Sequence, residues 1–143
     1  SFPFSFTQGN ISLVSAAIII ALILYLIIRF SPQPHGLDKE KYQSKWLEIE
    51  SKFQPNSIDS QYMAILSADK LLDQALKETN SKGSTMGERM KSAQNTWSNA
   101  NYIWGAHKIR NRLAHDTDVK LSHDIARRAL AAYKQALKDL GAI

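Results

Sequence analysis

The sequence predicts an all-α protein: one N-terminal transmembrane helix followed by a small up-and-down helical bundle of about five helices. Three observations carry this. Residues 11–30 are apolar around their whole circumference, with no charge before Arg29. After Gly36, apolar residues recur at steps of three and four, the period of an α-helix, and nowhere alternate as in a strand. The segments between these runs carry helix caps and helix breakers.

Residues 1–10 read as a short segment outside the membrane, with Phe2, Phe4 and Phe6 as interface anchors. The span at 11–30 is twenty residues, which at about 1.5 Å each matches a hydrocarbon core about 30 Å thick. A secretory signal fits poorly, because a basic leader and a small-residue cleavage site are both missing. Lys and Arg are absent from residues 1–10, whereas Arg29, Lys39, Lys41 and Lys45 follow or end the span. Positive charge is retained on the inner side, so the N-terminus is expected outside and the C-terminal domain in the cytoplasm. Residues 31–37, with Pro32, Pro34 and Gly36, form a linker that cannot continue the helix.

The bundle occupies residues 38–143. Asp38 is an N-cap, and Tyr42, Trp46, Ile49 and Phe53 form an apolar stripe that ends before Pro55. A second helix over residues 57–79 carries Tyr62, Ile65, Leu66, Leu72 and Leu76 on one face. Thr85 and Glu88 have capping-box spacing and start a short third helix to about Asn95, with Met86, Met90 and Ala93 inward. The fourth helix has Tyr102, Ala106, Ile109 and Leu113 as its stripe. Ser122 caps a fifth, with Ile125, Ala129, Ala132, Tyr133, Ala136, Leu137 and Leu140 inward and Gly141 just beyond its end. Trp46, Trp97 and Trp104 read as core or interface aromatics.

Composition narrows function. There is no cysteine, which excludes disulfides, thiolate metal sites and a thiol nucleophile. The net charge of +5 is unevenly spread. Residues 38–80 hold six Lys/Arg against eight Asp/Glu, or −2, whereas residues 81–143 hold eleven against five, or +6. A basic half suits a polyanion such as RNA or an acidic membrane face, and equally an ordinary solvated surface. His115, Asp116, Asp118, His123 and Asp124 include metal-ligand types, but fall where caps are needed; no metal and no cofactor is expected. No glycine-rich phosphate loop or nucleophile elbow is present.

The fourth helix concentrates the remaining chemistry in Lys108-Ile-Arg-Asn-Arg-Leu-Ala-His-Asp116. This segment resembles the signature of the HEPN superfamily of small helical domains: an Arg, a polar residue such as Asn, then a His after four to six intervening positions. Arg110, Asn111 and His115 match it, with four intervening positions. The order of helices over about residues 38–143 is also similar. The resemblance implies a metal-independent endoribonuclease, or a silent relative that binds RNA or a protein partner, with the motif facing its copy across a homodimer. His115 would move a proton of a ribose hydroxyl or leaving oxygen, Arg110 would hold a phosphate, and Asn111 would orient its neighbours.

Geometry limits that reading. Five residues turn an ideal helix by about 500°, so Arg110 and His115 lie about 140° apart around the axis. Convergence then needs a helix end near His115 or a second chain. Alternatively, Arg110 pairs with Asp116, Asp118 or an acid on a neighbouring helix, while His115 favours the helix dipole at the C-terminus. A competing class is a non-catalytic structural or adaptor subunit of a membrane complex, or a pilin-like filament subunit or other homo-oligomer assembled through the apolar helix. The acidic residue usual near the start of pilin helices is missing here.

Overall fold

A computed structural model describes residues 8–30 and 36–143. The aromatic cluster Phe2, Phe4 and Phe6 and the prolines of the expected linker lie outside the described residues. The architecture is all-α: α1 Gln8–Phe30, α2 Lys39–Lys52, α3 Ile58–Glu78, α4 Met86–Ser92, α5 Ala100–His115 and α6 His123–Asp139. The chain divides into two compact units, Ser1–Pro34 and His35–Ile143.

In the first unit, α1 is long and apolar enough to cross a membrane, and none of its residues is buried by protein. Its exposed surface from Ile11 to Phe30 is mostly large apolar side chains, interrupted by Ser12, Ser15 and Arg29.

The second unit is built around α3, which packs against α2, α4, α5 and α6, while α5 also packs on α6. The central position follows from composition: Ala64, Ile65, Ala68, Leu71, Leu72, Ala75 and Leu76 are all buried, a wider arc than one surface stripe needs. Tyr42, Trp46 and Ile49 of α2 bury against this centre as expected, with Phe53 partly buried at the end.

The caps explain where the helices start and stop. Asp38, Ser57, Thr85, Asn99 and Ser122 each accept a backbone N–H of the first turn, and Thr85 with Glu88 completes the capping box. Two helices end in Schellman motifs. At α6, Ala142 N–H reaches Leu137 O at 2.8 Å and Gly141 has φ 77°. At α3, Ser81 N–H reaches Leu76 O at 3.0 Å, and Asn80 takes the left-handed position at φ 58°.

Most expected core positions of α3 and α6 are buried, but three stripes differ from the sequence expectation at particular residues. On α5 the buried residues are Ile103 and Ala106, while Tyr102 is 69% exposed and Ile109 and Leu113 only partly covered. On α6, Ala126 and Leu130 are buried and Ile125 is 41% exposed. On α3, Tyr62 and Leu66 are half-buried and the inward face includes Gln61 and Asp69. The α4 helix ends at Ser92 rather than Asn95, with Met90 fully buried and Arg89 buried beside it.

Candidate functional site

The site begins with Asp69, a carboxylate in the middle of the inward face of α3 and only 4% exposed. A buried carboxylate must be paired and hydrogen-bonded or its desolvation destabilises the fold. Three side chains from two other helices converge on it. From α6, Tyr133 Oη donates to Asp69 Oδ1 at 2.7 Å. From α5, His107 Nδ1 donates to the same oxygen at 2.8 Å. Also from α5, Arg110 Nε lies 3.4 Å from Oδ2. That last contact is within ion-pair range but is poorly directed, and Nε, though buried, makes no hydrogen bond. It is a charge pairing rather than a directed bond.

The network closes on itself along α5. With Nδ1–H committed to Asp69, His107 Nε2 is an acceptor, and Asn111 Nδ2 donates to it across 3.4 Å. Arg110 Nη1 donates to Asn111 Oδ1 at 3.1 Å. The ring therefore runs Asp69, His107, Asn111, Arg110 and back to Asp69. Helical spacing makes this natural, because residues 107, 110 and 111 stand at i, i+3 and i+4 and share one face. Burial, and next the Asp69 carboxylate, push the Tyr133 hydroxyl far above the ordinary tyrosine value, so it stays a proton donor.

Of the three site residues expected from sequence, Arg110 and Asn111 are brought together and His115 is not. His115 is the last residue of α5 and is exposed. It borders a shallow depression of about 370 Å³ with Arg112, Asp116, Thr117 and Asp118. Among the described residues its side chain makes no hydrogen bond. Arg110 takes its acid from a neighbouring helix, Asp69, rather than from Asp116 or Asp118.

His107, Asp69 and Tyr133 were not singled out for this site from sequence. A signal was present: Asp69 stands four residues after Ile65 and three before Leu72, which puts an acid on the core face of an apolar helix. Among the described residues, no three His, Asp or Glu side chains are grouped to hold a metal ion.

A second feature lies on the other flank of α5. An open groove of about 780 Å³ runs along the α5–α6 seam, lined in part by Gly105, Ile109, Ala129 and Ala132 together with the exposed Tyr102 and Ile125. Small side chains on both helices leave the trough, and the two displaced apolar residues are part of its lining. Compared with known proteins, the chain matches no family profile, no curated protein and no solved structure.

Proposed function

We propose that this chain is a single-pass membrane protein whose HEPN-like helical domain binds RNA at the cytoplasmic face. One observation carries the reading. The Arg110 side chain is held on its inner edge by buried Asp69, yet 36% of it faces solvent. Its Nη2 has no protein hydrogen bond among the described residues. A guanidinium charge-paired behind with Asp69, bonded at one side to Asn111 and open in front is placed to meet a phosphate. Lys108 and Arg112 are exposed on the same C-terminal half of α5 and add positive field. The apolar α1 supports anchoring, and the lysines that follow it support an inward-facing domain.

Cleavage is the stronger form of this reading. It needs His115 to reach the phosphate that Arg110 holds, either from the end of its own α5 or from a second copy, because within one chain His115 is bonded to neither Arg110 nor Asn111. The full chain in detergent micelles, titrated with fluorescent single-stranded RNA in EDTA, tests both forms. Wild-type affinity should fall with salt, and Arg110→Ala should make the log–log salt slope shallower by about 0.7, one phosphate contact on a single strand. No binding at low salt rejects the proposal. Metal-independent cleavage abolished by His115→Ala, together with dimers, would establish the nuclease form.

The α5–α6 groove favours a second reading, an adaptor that docks an apolar partner at Tyr102 and Ile125. Under that reading RNA binding is absent and the domain's partner is lost on Tyr102→Ser. Protease treatment of intact cells decides topology: degradation of the domain from outside contradicts the cytoplasmic placement.

A further inference from the structure

The donors and acceptors around His107 are arranged in one direction only, and that direction has a consequence. One bond in the ring, from Asn111 Nδ2 to His107 Nε2, requires a neutral imidazole carrying its proton on Nδ1. Asp69 Oδ1 takes that proton, and Nε2 accepts from the Asn111 amide. The amide's other end, Oδ1, then faces Arg110 Nη1. We propose that protonation of His107 on Nε2 releases Arg110 from the site, so that the domain exposes this guanidinium more fully in acid.

The steps follow from the donor inventory. A proton added to Nε2 turns it from acceptor to donor, facing the donor Nδ2 of Asn111. Rotating the amide by about 180° restores that bond by presenting Oδ1 to His107. The same rotation turns Nδ2 toward Arg110 Nη1, so two donors now oppose each other there. Arg110 has little else to hold it, because its Nε sits 3.4 Å from Asp69 without a hydrogen bond. Charge acts in the same sense. With neutral His107, Asp69 is balanced by one cation, Arg110; with protonated His107 it has two. The imidazolium is the better placed, at 2.8 Å and with its side chain 12% exposed, whereas Arg110 is 36% exposed. The more exposed cation leaves with the smaller loss of contacts.

The titratable and charged groups bonded to this centre are few. Asp69 comes from α3, Tyr133 from α6 and Arg110 from α5. Trp104 presents an uncharged ring at 6.4 Å from His107. Tyr133 keeps its proton and does not compete.

The inference rests on the RNA-binding reading only for its consequence, so it is tested first without RNA. The full chain, with ¹⁵N-labelled Arg and His in micelles, is followed by NMR from pH 8 to pH 5. The expected result is that Arg110 Nη rotation, restricted at pH 8, becomes free along the same curve on which His107 Nε2 takes up its proton. Asn111→Asp supplies acceptors to both neighbours and should keep Arg110 restricted throughout. Arg110 unchanged while His107 titrates, or His107 remaining neutral until the domain unfolds, overturns the proposal. Measured next, the affinity for single-stranded RNA should change between pH 8 and pH 5.5 by a larger factor in wild type than in Asn111→Asp, with the Arg110 contribution to the salt slope unchanged. Release of Arg110 with no RNA binding at either pH would leave the switch standing and remove the RNA reading.

Discussion

At the scale of the residue, the decisive group is Asp69, because a single buried carboxylate determines the orientation of three other side chains. Hydrogen bonds to a charged group contribute about 1.5–3 kcal/mol each, whereas an exposed ion pair contributes about 0–1 kcal/mol. Tyr133→Phe removes only the donor to Asp69 Oδ1 and keeps the ring in place. It should cost about 1.5–3 kcal/mol in denaturant titration with an unchanged m-value. Arg127→Ala breaks an exposed pair with Asp124, both side chains more than half exposed, and should cost under about 1 kcal/mol. Equal effects of the two would mean that Asp69 is adequately held by His107 and Arg110 without Tyr133. Sequence made Arg110 and Asn111 visible because they fit a motif. It hid Asp69 and Tyr133 because they lie 38 and 26 residues from His107 in the chain, and only the packing of α3 against α5 and α6 brings them together.

At the scale of the element, helix ends were legible and helix phases less so, for a physical reason. A cap is a local event, settled within three or four residues, so Asp38, Thr85 with Glu88, Ser122 and Gly141 could be read directly. The phase of α5 was not, because its inward arc holds Ile103, Ala106, His107 and Arg110, half of it polar. Counting apolar residues discards that half and moves the stripe toward Tyr102 and Leu113, at the edge of the core. The same shift places Ile125 of α6 inward when it lines the groove. The turn before α4 gives the test at this scale. Thr85→Ala removes the hydroxyl that accepts Glu88 N–H and should cost about 1 kcal/mol. Gly83→Ala should cost more. Its φ is 146°, and an added Cβ would lie 2.6 Å from Glu88 Cβ and 2.7 Å from Arg89 N. Relieving that contact shifts Glu88, which holds Ser84 and Thr85, and Arg89, which donates to Gly83 O at 3.0 Å. Thermal melts that rank Thr85→Ala as the worse variant would show that the turn can re-form around an extra methyl group.

At the scale of the whole molecule, an apolar helix and a polar bundle are separate units, and their stabilities should be measurable separately. All three tryptophans, Trp46, Trp97 and Trp104, lie in the bundle, so their fluorescence reports its unfolding and not that of α1. The charges predict how this transition depends on pH. Burial raises Asp73, but hydrogen bonds and charge from Arg89 outweigh it and hold the carboxyl below its usual range. Burial likewise raises Glu50, outweighed by bonds from Trp46 and Lys134. The Tyr42 hydroxyl is the main cause that lowers Glu78. A carboxyl whose folded value is depressed binds fewer protons folded than unfolded, so its contribution is complete above the ordinary range near pH 4 and vanishes as pH falls through the folded value. Burial raises Tyr133 and Tyr42, with their carboxylate partners adding to the shift; the neutral phenols are favoured by folding, so their contribution fades above about pH 10. These carboxyl and phenol contributions together predict a plateau of fluorescence-detected stability between about pH 5 and 9, falling on both sides. The acid limb should be shallower in Arg89→Met, which removes the cation holding Asp73 down, and the alkaline limb shallower in Tyr133→Phe. A wild-type transition unchanged between pH 7 and pH 3 would mean that these carboxylates gain nothing from their partners in the folded bundle.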